Sequence, residues 1–251
     1  MKNAGVSESF EKDGADPRVS LFSDLLVTGI GLDFEYQAQA DGYAFIAGVD
    51  EVGRGCLAGP VVAAACILDT TRPLPDGLDD SKKLTAAKRE EIAEELKQTV
   101  IAYAIGQIEA DEIDRINILE ATKNAMLAAI AALAPAADFL LVDALHLKRS
   151  PLPQRAIIKG DSISASIAAA SILAKTYRDG LMVEYDREYP GYGFADHKGY
   201  AARGHYEALR KQGHCPIHRV SFRGVLPDDL SPSDKTSLFS DAASKPIKET
   251  T

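Results

Sequence analysis

Short apolar runs alternate with segments of helical periodicity between residues 42 and 225, and this alternation constrains the fold more than any other feature. The apolar runs are typical of β-strands, which we expect at 45–49, 61–68, 100–106, 139–142 and 156–159. Helical spacing predicts helices over 86–98, 110–133 and 163–187. Strands that alternate with helices indicate an α/β domain. Because the first strands follow one another like a hairpin, we expect a mixed sheet.

The two ends of the chain differ in composition from this central part. Residues 1–40 are polar and weakly periodic, and we interpret them as a loosely attached N-terminal extension. Residues 227–251 are rich in Ser, Asp, Lys and Pro, which predicts a disordered tail. The folded domain should therefore occupy residues 41–226. The chain has neither an apolar run of about 18 residues, as a membrane span requires, nor the apolar core of a secretory signal.

Cysteine usage and charge indicate the cellular compartment and the class of binding partner. Cys56, Cys66 and Cys215 form no C-x-x-C pair, which favours a reducing, cytoplasmic environment. The net charge of −9 argues against a nucleic-acid binder, but the charge is unevenly distributed. Residues 1–140 carry 12 basic and 24 acidic side chains, whereas residues 141–223 carry 13 basic and 8 acidic ones. This locally basic segment permits a polyanionic partner.

Carboxylates follow the predicted strands. Asp50 comes directly after the run FIAGV with Glu51 beside it, Asp143 comes after FLLV, and Asp161 follows another short strand. The ends of buried strands are where an open sheet forms its functional crevice. For a single Asp, a strand end or a helix cap is the simpler interpretation. Three such positions, the first of them a pair of carboxylates, favour a shared site.

Four carboxylates at one site would repel one another unless a cation neutralised them. Mg²⁺ or Mn²⁺ is the expected cofactor, because both ions prefer oxygen ligands and keep positions for water and substrate phosphate. Two such ions about 3.5–4 Å apart could hold the attacking water and the leaving oxygen of a phosphodiester displacement. The pattern therefore predicts an acidic metal site, but it does not identify the substrate.

A glycine–arginine turn, Gly53-Arg54-Gly55, follows the acidic pair. Flanking glycines allow a positive φ and a close approach of the backbone to a ligand, and the planar guanidinium of Arg54 suits a phosphate. The alternative is a tight turn that binds nothing.

Further along the chain, two segments could contact a polyanion. The hydroxyl of Ser81 and the ammonium groups of Lys82 and Lys83 could hold a phosphate, although a solvated loop is the simpler interpretation. The stretch GYGFADHKGYAARGH is rich in glycine and basic residues and contains Tyr200. Its aromatic side chains could stack on a sugar or base, or they could pack beneath a loop.

The histidines suggest two other kinds of site. His214, Cys215 and His218 have the spacing of half a zinc site, although a cluster without a partner pair is more often structural. Five clustered histidines would also fit a ribonuclease that uses two of them as acid and base. That mechanism predicts activity without metal.

Seven blocks of this sequence together resemble bacterial type 2 ribonuclease H (ribonuclease HII) in order and spacing. They span about residues 34–225 and read AGVDEVGRGCLAGPVVAAACIL, DDSKKLT, DRINILEAT, LLVDAL, KGDSISASIAAASILAKTYRD, YPGYGFADHKGY and PIHRVSF. The resemblance implies a ribonuclease H-like fold, with a mixed five-stranded sheet flanked by helices and a helical C-terminal part. It implies Mg²⁺- or Mn²⁺-dependent cleavage on the 5′ side of a ribonucleotide, leaving 3′-hydroxyl and 5′-phosphate ends. The implied substrates are RNA–DNA hybrids and single ribonucleotides in duplex DNA, with a role in ribonucleotide excision repair.

The resemblance also assigns roles to individual positions. The family's four metal-binding carboxylates correspond to Asp50, Glu51, Asp143 and Asp161. Its Gly-Arg-Gly motif, which recognises the 2′-hydroxyl and adjacent phosphates, corresponds to Gly53, Arg54 and Gly55. The tyrosine that stacks on the sugar after the ribonucleotide corresponds to Tyr200. The family's lysine-rich loop, near the substrate backbone, corresponds to Ser81, Lys82 and Lys83.

Two alternatives lie close to this interpretation. Type 3 ribonuclease H shares the fold but typically has a sizeable N-terminal substrate-binding domain and a glutamate as its fourth carboxylate, where this chain has Asp161. A non-catalytic nucleic-acid-binding module of the same fold would gain nothing from four carboxylates that repel phosphate. Cys56 stands where the family has proline, which removes no ligand. We expect a monomer and find no convincing sliding-clamp-binding peptide in the tail.

Overall fold

Five strands form one mixed sheet in a computed structural model that describes residues 29–227. They are β1 (Ile46–Val52), β2 (Val61–Ile67), β3 (Ala102–Ile108), β4 (Phe139–Asp143) and β5 (Gln154–Ile157). Their order across the sheet is β3-β2-β1-β4-β5. The β1–β2 and β2–β3 pairs are antiparallel, and the β1–β4 and β4–β5 pairs are parallel. The prediction of a mixed five-stranded sheet is confirmed.

Helices flank both faces of this sheet. They are α1 (Asp33–Ala40), α2 (Ala86–Thr99), α3 (Ala110–Ile116), α4 (Ile118–Ala131), α5 (Ala165–Glu188), α6 (Phe194–His197) and α7 (Arg203–Gln212). Thr85 caps α2, because its hydroxyl accepts a hydrogen bond from the Lys88 amide. The single helix expected over 110–133 is wrong. Asn117, with φ of 70°, separates α3 from α4 and its side chain caps α4, a role that suits asparagine because it tolerates positive φ.

The sheet separates two apolar cores. Ala63 and the alternate residues of β2 lie in a core shared with α4, whereas Ala64 and its alternate residues lie in a core shared with α2 and α5. Because helices cover both faces, β2 is apolar throughout, without a polar face. Helix α5 approaches β1 closely at Gly48, where an added Cβ would lie 2.1 Å from the carbonyl carbon of Ser166. This close packing brings α5 over the end of β1.

Strand register brings separate carboxylates to one edge of the sheet. Val49 of β1 pairs with Val142 of β4. Because these strands are parallel, the next residues, Asp50 and Asp143, lie side by side. Asp161 lies in a 3-10 turn that follows β5, the strand next to β4. The topology therefore places three distant sequence positions at the same end of the sheet.

Helix α1 belongs to the folded domain, which corrects the expectation that residues 1–40 are loosely attached throughout. Phe34 packs in a core with residues of β1, β4 and α5. Glu35 is 1% exposed, and its Oε1 accepts hydrogen bonds from the hydroxyl of Ser164 at 2.7 Å and the amide of Ser166 at 2.9 Å. These residues begin α5, where a carboxylate complements the helix dipole. This contact is hard to predict from the sequence, because α1 has eight residues and a weak apolar pattern.

The C-terminal helices form a small core of their own. Met182 of α5 packs there with Tyr192, Phe194 and Ile217, so the predicted helical C-terminal part is confirmed. Across residues 29–227, no helix has both the length and the apolar character that crossing a membrane requires. The first part of the predicted extension and the predicted tail lie outside the described residues.

Candidate active site

Three carboxylates converge at the end of β1 and β4. Their ligand oxygens, from Asp50, Glu51 and Asp143, all lie within 4.8 Å of one another, and no other group of this kind occurs within residues 29–227. Asp50 is 4% exposed. Glu51 Oε2 is buried and has no hydrogen-bond partner among the described residues. A buried oxygen without a partner is costly, so this carboxylate cluster could hold a metal ion that supplies the missing interaction.

Burial and mutual repulsion disfavour the ionised forms of these carboxylates. Burial raises the pKa of Asp50 well above its usual range, and the charge of Glu51 raises it further. Burial also raises the pKa of Glu51, against the opposing effect of Arg54. Burial likewise raises the pKa of Asp143, although the Gly160 amide donates to its Oδ1 at 2.7 Å. A divalent cation would offset the repulsion that remains.

The fourth predicted carboxylate, Asp161, lies beside the cluster and is paired with a lysine. Its Oδ2 accepts a hydrogen bond from Lys82 Nζ at 2.7 Å. Burial of Lys82 opposes its charge, but the hydrogen bond and charge of Asp161 raise the pKa of the ammonium above its usual range. The negative charge of Asp161 also contributes to the raised pKa of Asp143. A metal ion bound through Oδ2 of Asp161 would displace Lys82.

The Gly-Arg-Gly turn connects β1 to the segment before β2. Gly53 has φ of +90°, and an added Cβ would lie 2.3 Å from Nε of Arg178, so a side chain does not fit. The predicted positive φ is thus found at Gly53 but not at Gly55, which has open space around it. Arg54 Nη1 donates to Glu51 Oε1 at 3.1 Å, and the Arg54 side chain is 43% exposed. The exposed guanidinium therefore lies against the carboxylate cluster.

Two buried arginines support this turn and the segment that follows it, and neither was predicted from the sequence. Arg178 of α5 donates from Nε to the carbonyl oxygen of Pro60 at 3.0 Å and from Nη1 to that of Lys198 at 2.8 Å. Arg219 donates to the carbonyl oxygen of Arg54 at 3.0 Å. Carbonyl groups satisfy guanidinium donors that would otherwise be costly to bury. Neither arginine stands out in the sequence, because no local pattern distinguishes a buried arginine from an exposed one.

The lysine-rich loop divides between interior and solvent. Ser81 is buried, and its Oγ lies 2.9 Å from Oγ of Ser171, a hydroxyl that opposes the rise in the pKa of Asp50. Lys83 is exposed, and its Nζ donates to Asp79 at 2.9 Å. Of the three residues predicted here to contact substrate, Lys82 alone reaches a predicted metal ligand directly.

Tyr200 is exposed and lies above α5. Its ring is 41% exposed, and Nζ of Lys175 lies 5.8 Å from the ring centroid. The preceding backbone is tied to the turn, because Arg178 and the thiol of Cys56 both bond to the carbonyl oxygen of Lys198. Cys56 itself is fully buried. Tyr200 and the Gly-Arg-Gly turn are therefore held by the same buried groups.

Two of the described histidines, His205 and His218, form a buried pair that is ill suited to the acid–base catalysis considered from the sequence. Nδ1 of His218 accepts a hydrogen bond from the Cys215 amide at 3.0 Å, and its Nε2 lies 3.0 Å from Nε2 of His205. Burial lowers the pKa of His218 to about 3 and also lowers the pKa of His205. Groups that stay neutral at physiological pH and face one another in the interior are poor general acids.

Comparison with known proteins assigns the family. The sequence model described as ribonuclease HII matches residues 47–225. The chain belongs to the ribonuclease HII family. A ribonuclease HII from Desulfitobacterium hafniense (strain DSM 10664 / DCB-2) is 56% identical over 191 residues, which cover 76% of this chain and 73% of the relative. Membership confirms the resemblance to type 2 ribonuclease H and identifies the chain as a hydrolase, a ribonuclease whose metal dependence is consistent with the carboxylate cluster.

Solved structures of the ribonuclease HII family have the same fold. The ribonuclease H2 from Pyrococcus horikoshii OT3 matches with a TM-score of 0.61 and 25% identity, over 78% of this chain and 99% of that one. The ribonuclease HII from Archaeoglobus fulgidus, solved in complex with PCNA, matches with a TM-score of 0.60 and 27% identity, over 75% of this chain and 99% of that one. The predicted ribonuclease H-like fold is thus confirmed.

Proposed function

We propose that this ribonuclease HII cleaves the RNA strand of RNA–DNA hybrids and cuts on the 5′ side of single ribonucleotides in duplex DNA. The observation that carries the proposal is the convergence of Asp50, Glu51 and Asp143 within 4.8 Å, with Arg54 bonded to Glu51 at 3.1 Å. A phosphate-binding side chain beside a carboxylate cluster suits phosphodiester hydrolysis. The products would carry 3′-hydroxyl and 5′-phosphate ends.

The proposed ligands of two Mg²⁺ or Mn²⁺ ions are the four carboxylates, Asp50, Glu51, Asp143 and Asp161. Oxygen-only donors favour these hard cations, and the unpartnered Glu51 Oε2 fits such a ligand. When bound, the ions would activate the attacking water and stabilise the leaving oxygen. The protein's own contribution is to hold the carboxylates at fixed positions through the pairing of β1 with β4.

The proposed reader of the ribose is the turn from Gly53 to Gly55. The 2′-hydroxyl is the group that distinguishes RNA from DNA, and the backbone of a glycine-flanked turn can approach it closely. Tyr200 would stack on the next sugar, since it is exposed and the nearby carbonyl oxygen of Lys198 bonds to Arg178, which lies against Gly53. Lys82 would contact the substrate backbone after it leaves Asp161. Because these groups read sugar and phosphate, cleavage should be largely independent of base sequence.

The proposal extends to the cellular setting of the protein. Cys56, Cys66 and Cys215 are buried free thiols, which supports a reducing cytoplasmic compartment. We also propose that the protein acts as a monomer in ribonucleotide excision repair. The relative from Archaeoglobus fulgidus was solved with PCNA, and a sliding clamp would be the corresponding partner of this chain.

The experiment that tests the proposal uses duplex DNA that contains one ribonucleotide. The purified protein is incubated with it in Mg²⁺, Mn²⁺ or EDTA, and the products are mapped to the nucleotide. We expect one nick 5′ to the ribonucleotide in either metal and none in EDTA. Cleavage of long hybrids without this nick would favour type 3 activity, binding without cleavage would favour a non-catalytic module, and cleavage in EDTA would favour histidine catalysis.

A further inference from the structure

A stacked pair of histidines lies beneath the loop that carries Tyr200. The rings of His197 and His205 are parallel to within 12°, with centroids 4.4 Å apart. Nδ1 of His197 faces the amide nitrogen of Gly199 at 3.2 Å, and Nδ1 of His205 faces the carbonyl oxygen of Tyr200 at 2.9 Å. The pair therefore contacts the backbone on both sides of the Tyr200 side chain.

The positions of the protons on His218 and His205 follow from the Cys215 amide, which can only donate a hydrogen bond. The Cys215 amide donates to Nδ1 of His218, so the proton of His218 is on Nε2. That Nε2–H donates to Nε2 of His205 at 3.0 Å. His205 consequently carries its own proton on Nδ1, from which it donates to the Tyr200 carbonyl oxygen. Each hydrogen bond from Cys215 through His218 and His205 to Tyr200 thus has a defined donor and a defined acceptor.

The imidazoles in this chain of hydrogen bonds are buried and uncharged. His205 is fully buried and His218 is 3% exposed. Burial lowers the pKa of both imidazoles, so neither gains a second proton near physiological pH. A buried hydrogen bond in such surroundings fixes geometry firmly, because no water competes for the donor or the acceptor.

The same loop is bonded to the segment that follows the Gly-Arg-Gly turn. The carbonyl oxygen of Gly199 accepts a hydrogen bond from the Leu57 amide at 2.8 Å. Arg178 donates to the carbonyl oxygens of both Ala58 and Lys198. These bonds set where the loop begins, whereas the carbonyl oxygen of Tyr200 itself faces Nδ1 of His205 at 2.9 Å and accepts from the Ala202 amide at 2.8 Å. The position of the ring relative to the turn therefore depends on both attachments.

We propose that His205 is a positioning residue for substrate recognition: its Nδ1–H holds the Tyr200 carbonyl oxygen, and so places the Tyr200 ring at the correct distance from the Gly-Arg-Gly turn. The inference rests on the proposed function, because it takes Tyr200 to stack on a sugar of the substrate. His205 touches no substrate and acts through Tyr200. Its effect should fall mainly on KM for duplex DNA with one ribonucleotide.

Two substitutions distinguish the interactions of the two ring nitrogens of His205, because each keeps one interaction and removes the other. The amide nitrogen of asparagine lies the same number of bonds from Cα as Nδ1, so His205→Asn keeps the donor to Tyr200 and loses the contact with His218. The longer side chain of glutamine reaches the position of Nε2, so His205→Gln keeps the contact with His218 and loses the donor to Tyr200. Each variant removes one buried hydrogen bond, so the two should lose similar stability.

The test compares kcat and KM of the two variants at a temperature where circular dichroism shows both to be folded. We expect kcat/KM on the single-ribonucleotide duplex to be about tenfold lower for His205→Gln than for His205→Asn, mostly through KM. Equal losses in the two variants, in proportion to their melting temperatures, would reduce His205 to a structural role and overturn the inference.

A double-mutant cycle with Tyr200→Ala shows whether the effect passes through Tyr200. In the Tyr200→Ala background, His205→Gln should cost less than about a further twofold, and a persistent tenfold cost would contradict the inference. If His205→Gln does not fold, Tyr200→Ala must cost as much in the His205→Asn background as in the wild type. Tyr200→Ala on its own tests the proposed function: if it leaves kcat/KM unchanged, the sugar-stacking role fails irrespective of His205.

Discussion

At the scale of single residues, Asp50 shows the cost of assembling a metal site before the metal arrives. Its carboxylate is almost completely buried and lies beside two others. Without a cation, ionisation of Asp50 opposes folding, because burial and the charge of Glu51 both raise its pKa. The sequence places at this point a group that is unfavourable for stability, as expected where position serves chemistry.

The free energy of unfolding should therefore depend on pH in a particular direction. Asp50 has a raised pKa in the folded state, so its penalty is absent below the unfolded value of about 4 and grows as pH rises from there towards the folded value. In EDTA, Asp50→Asn should raise the free energy of unfolding relative to the wild type, with a gain that increases as pH rises above about 4. Urea denaturation measures this, with the exposed Asp111→Asn as control. A gain that does not vary with pH would contradict the burial argument.

Arg54 is a residue at which activity and stability should separate. The Arg54 side chain is 43% exposed, whereas the side chain of its partner Glu51 is 11% exposed. Because water screens the guanidinium, the pair should contribute only about 1 kcal/mol to folding. Arg54→Ala should lower kcat/KM by about a hundredfold while lowering the free energy of unfolding by only about 1 kcal/mol. Arg54→Lys keeps the charge without the planar guanidinium, and its kcat/KM should lie between that of the wild type and that of Arg54→Ala. Parallel losses of melting stability and activity would indicate that the turn is only structural.

Single residues also mark the limit of sequence analysis. Asp50 and Asp143 could be found because an acidic residue that ends an apolar run is conspicuous. The burial of Arg178 and Arg219 could not, because their partners are carbonyl oxygens, which every residue carries. Asp161 was found, but its pairing with Lys82 depends on a loop conformation that no periodicity encodes.

At the scale of elements, the strands were easier to predict than the breaks between helices. The five apolar runs predicted every strand of the sheet, although β1 continues to Val52 and thus contains Asp50 and Glu51. The division of 110–133 into α3 and α4 was missed, because apolar spacing continues across Asn117 while its backbone does not. Apolar periodicity indicates which face of a helix is buried, but it does not detect a single residue with positive φ.

Helix α1 supplies a test of where the folded domain begins. Oε1 of Glu35 accepts three hydrogen bonds from Ser164 and Ser166 at the start of α5. Glu35→Ala should lower the free energy of unfolding by about 3 kcal/mol, because it leaves buried donors without an acceptor. Urea denaturation measures the change, with the exposed Glu95→Ala of α2 as the matched control. If Glu35→Ala and Glu95→Ala lower the free energy of unfolding by equally small amounts, the hydrogen bonds of Glu35 do not stabilise the fold.

At the scale of the whole molecule, the topology explains why these residues meet. The parallel pairing of β1 with β4 brings Asp50 beside Asp143, and β5 delivers Asp161 to the same end. Helix α5 crosses this end and supplies Ser171 and Arg178, which contact the cluster and the turn. The sheet therefore fixes the carboxylates, while α5 and the C-terminal helices position the groups proposed to read the ribose.

The central claim is that the carboxylate cluster binds the metal that drives cleavage, and Asp143→Asn tests it most directly. Asparagine retains an oxygen to accept the Gly160 amide but loses the charge. Single-turnover cleavage of duplex DNA with one ribonucleotide, in Mg²⁺, should be at least about a thousandfold slower than in the wild type. The rise in melting temperature that Mg²⁺ causes in the wild type should also shrink. Wild-type cleavage by a folded Asp143→Asn variant that still requires Mg²⁺ would contradict the assigned site.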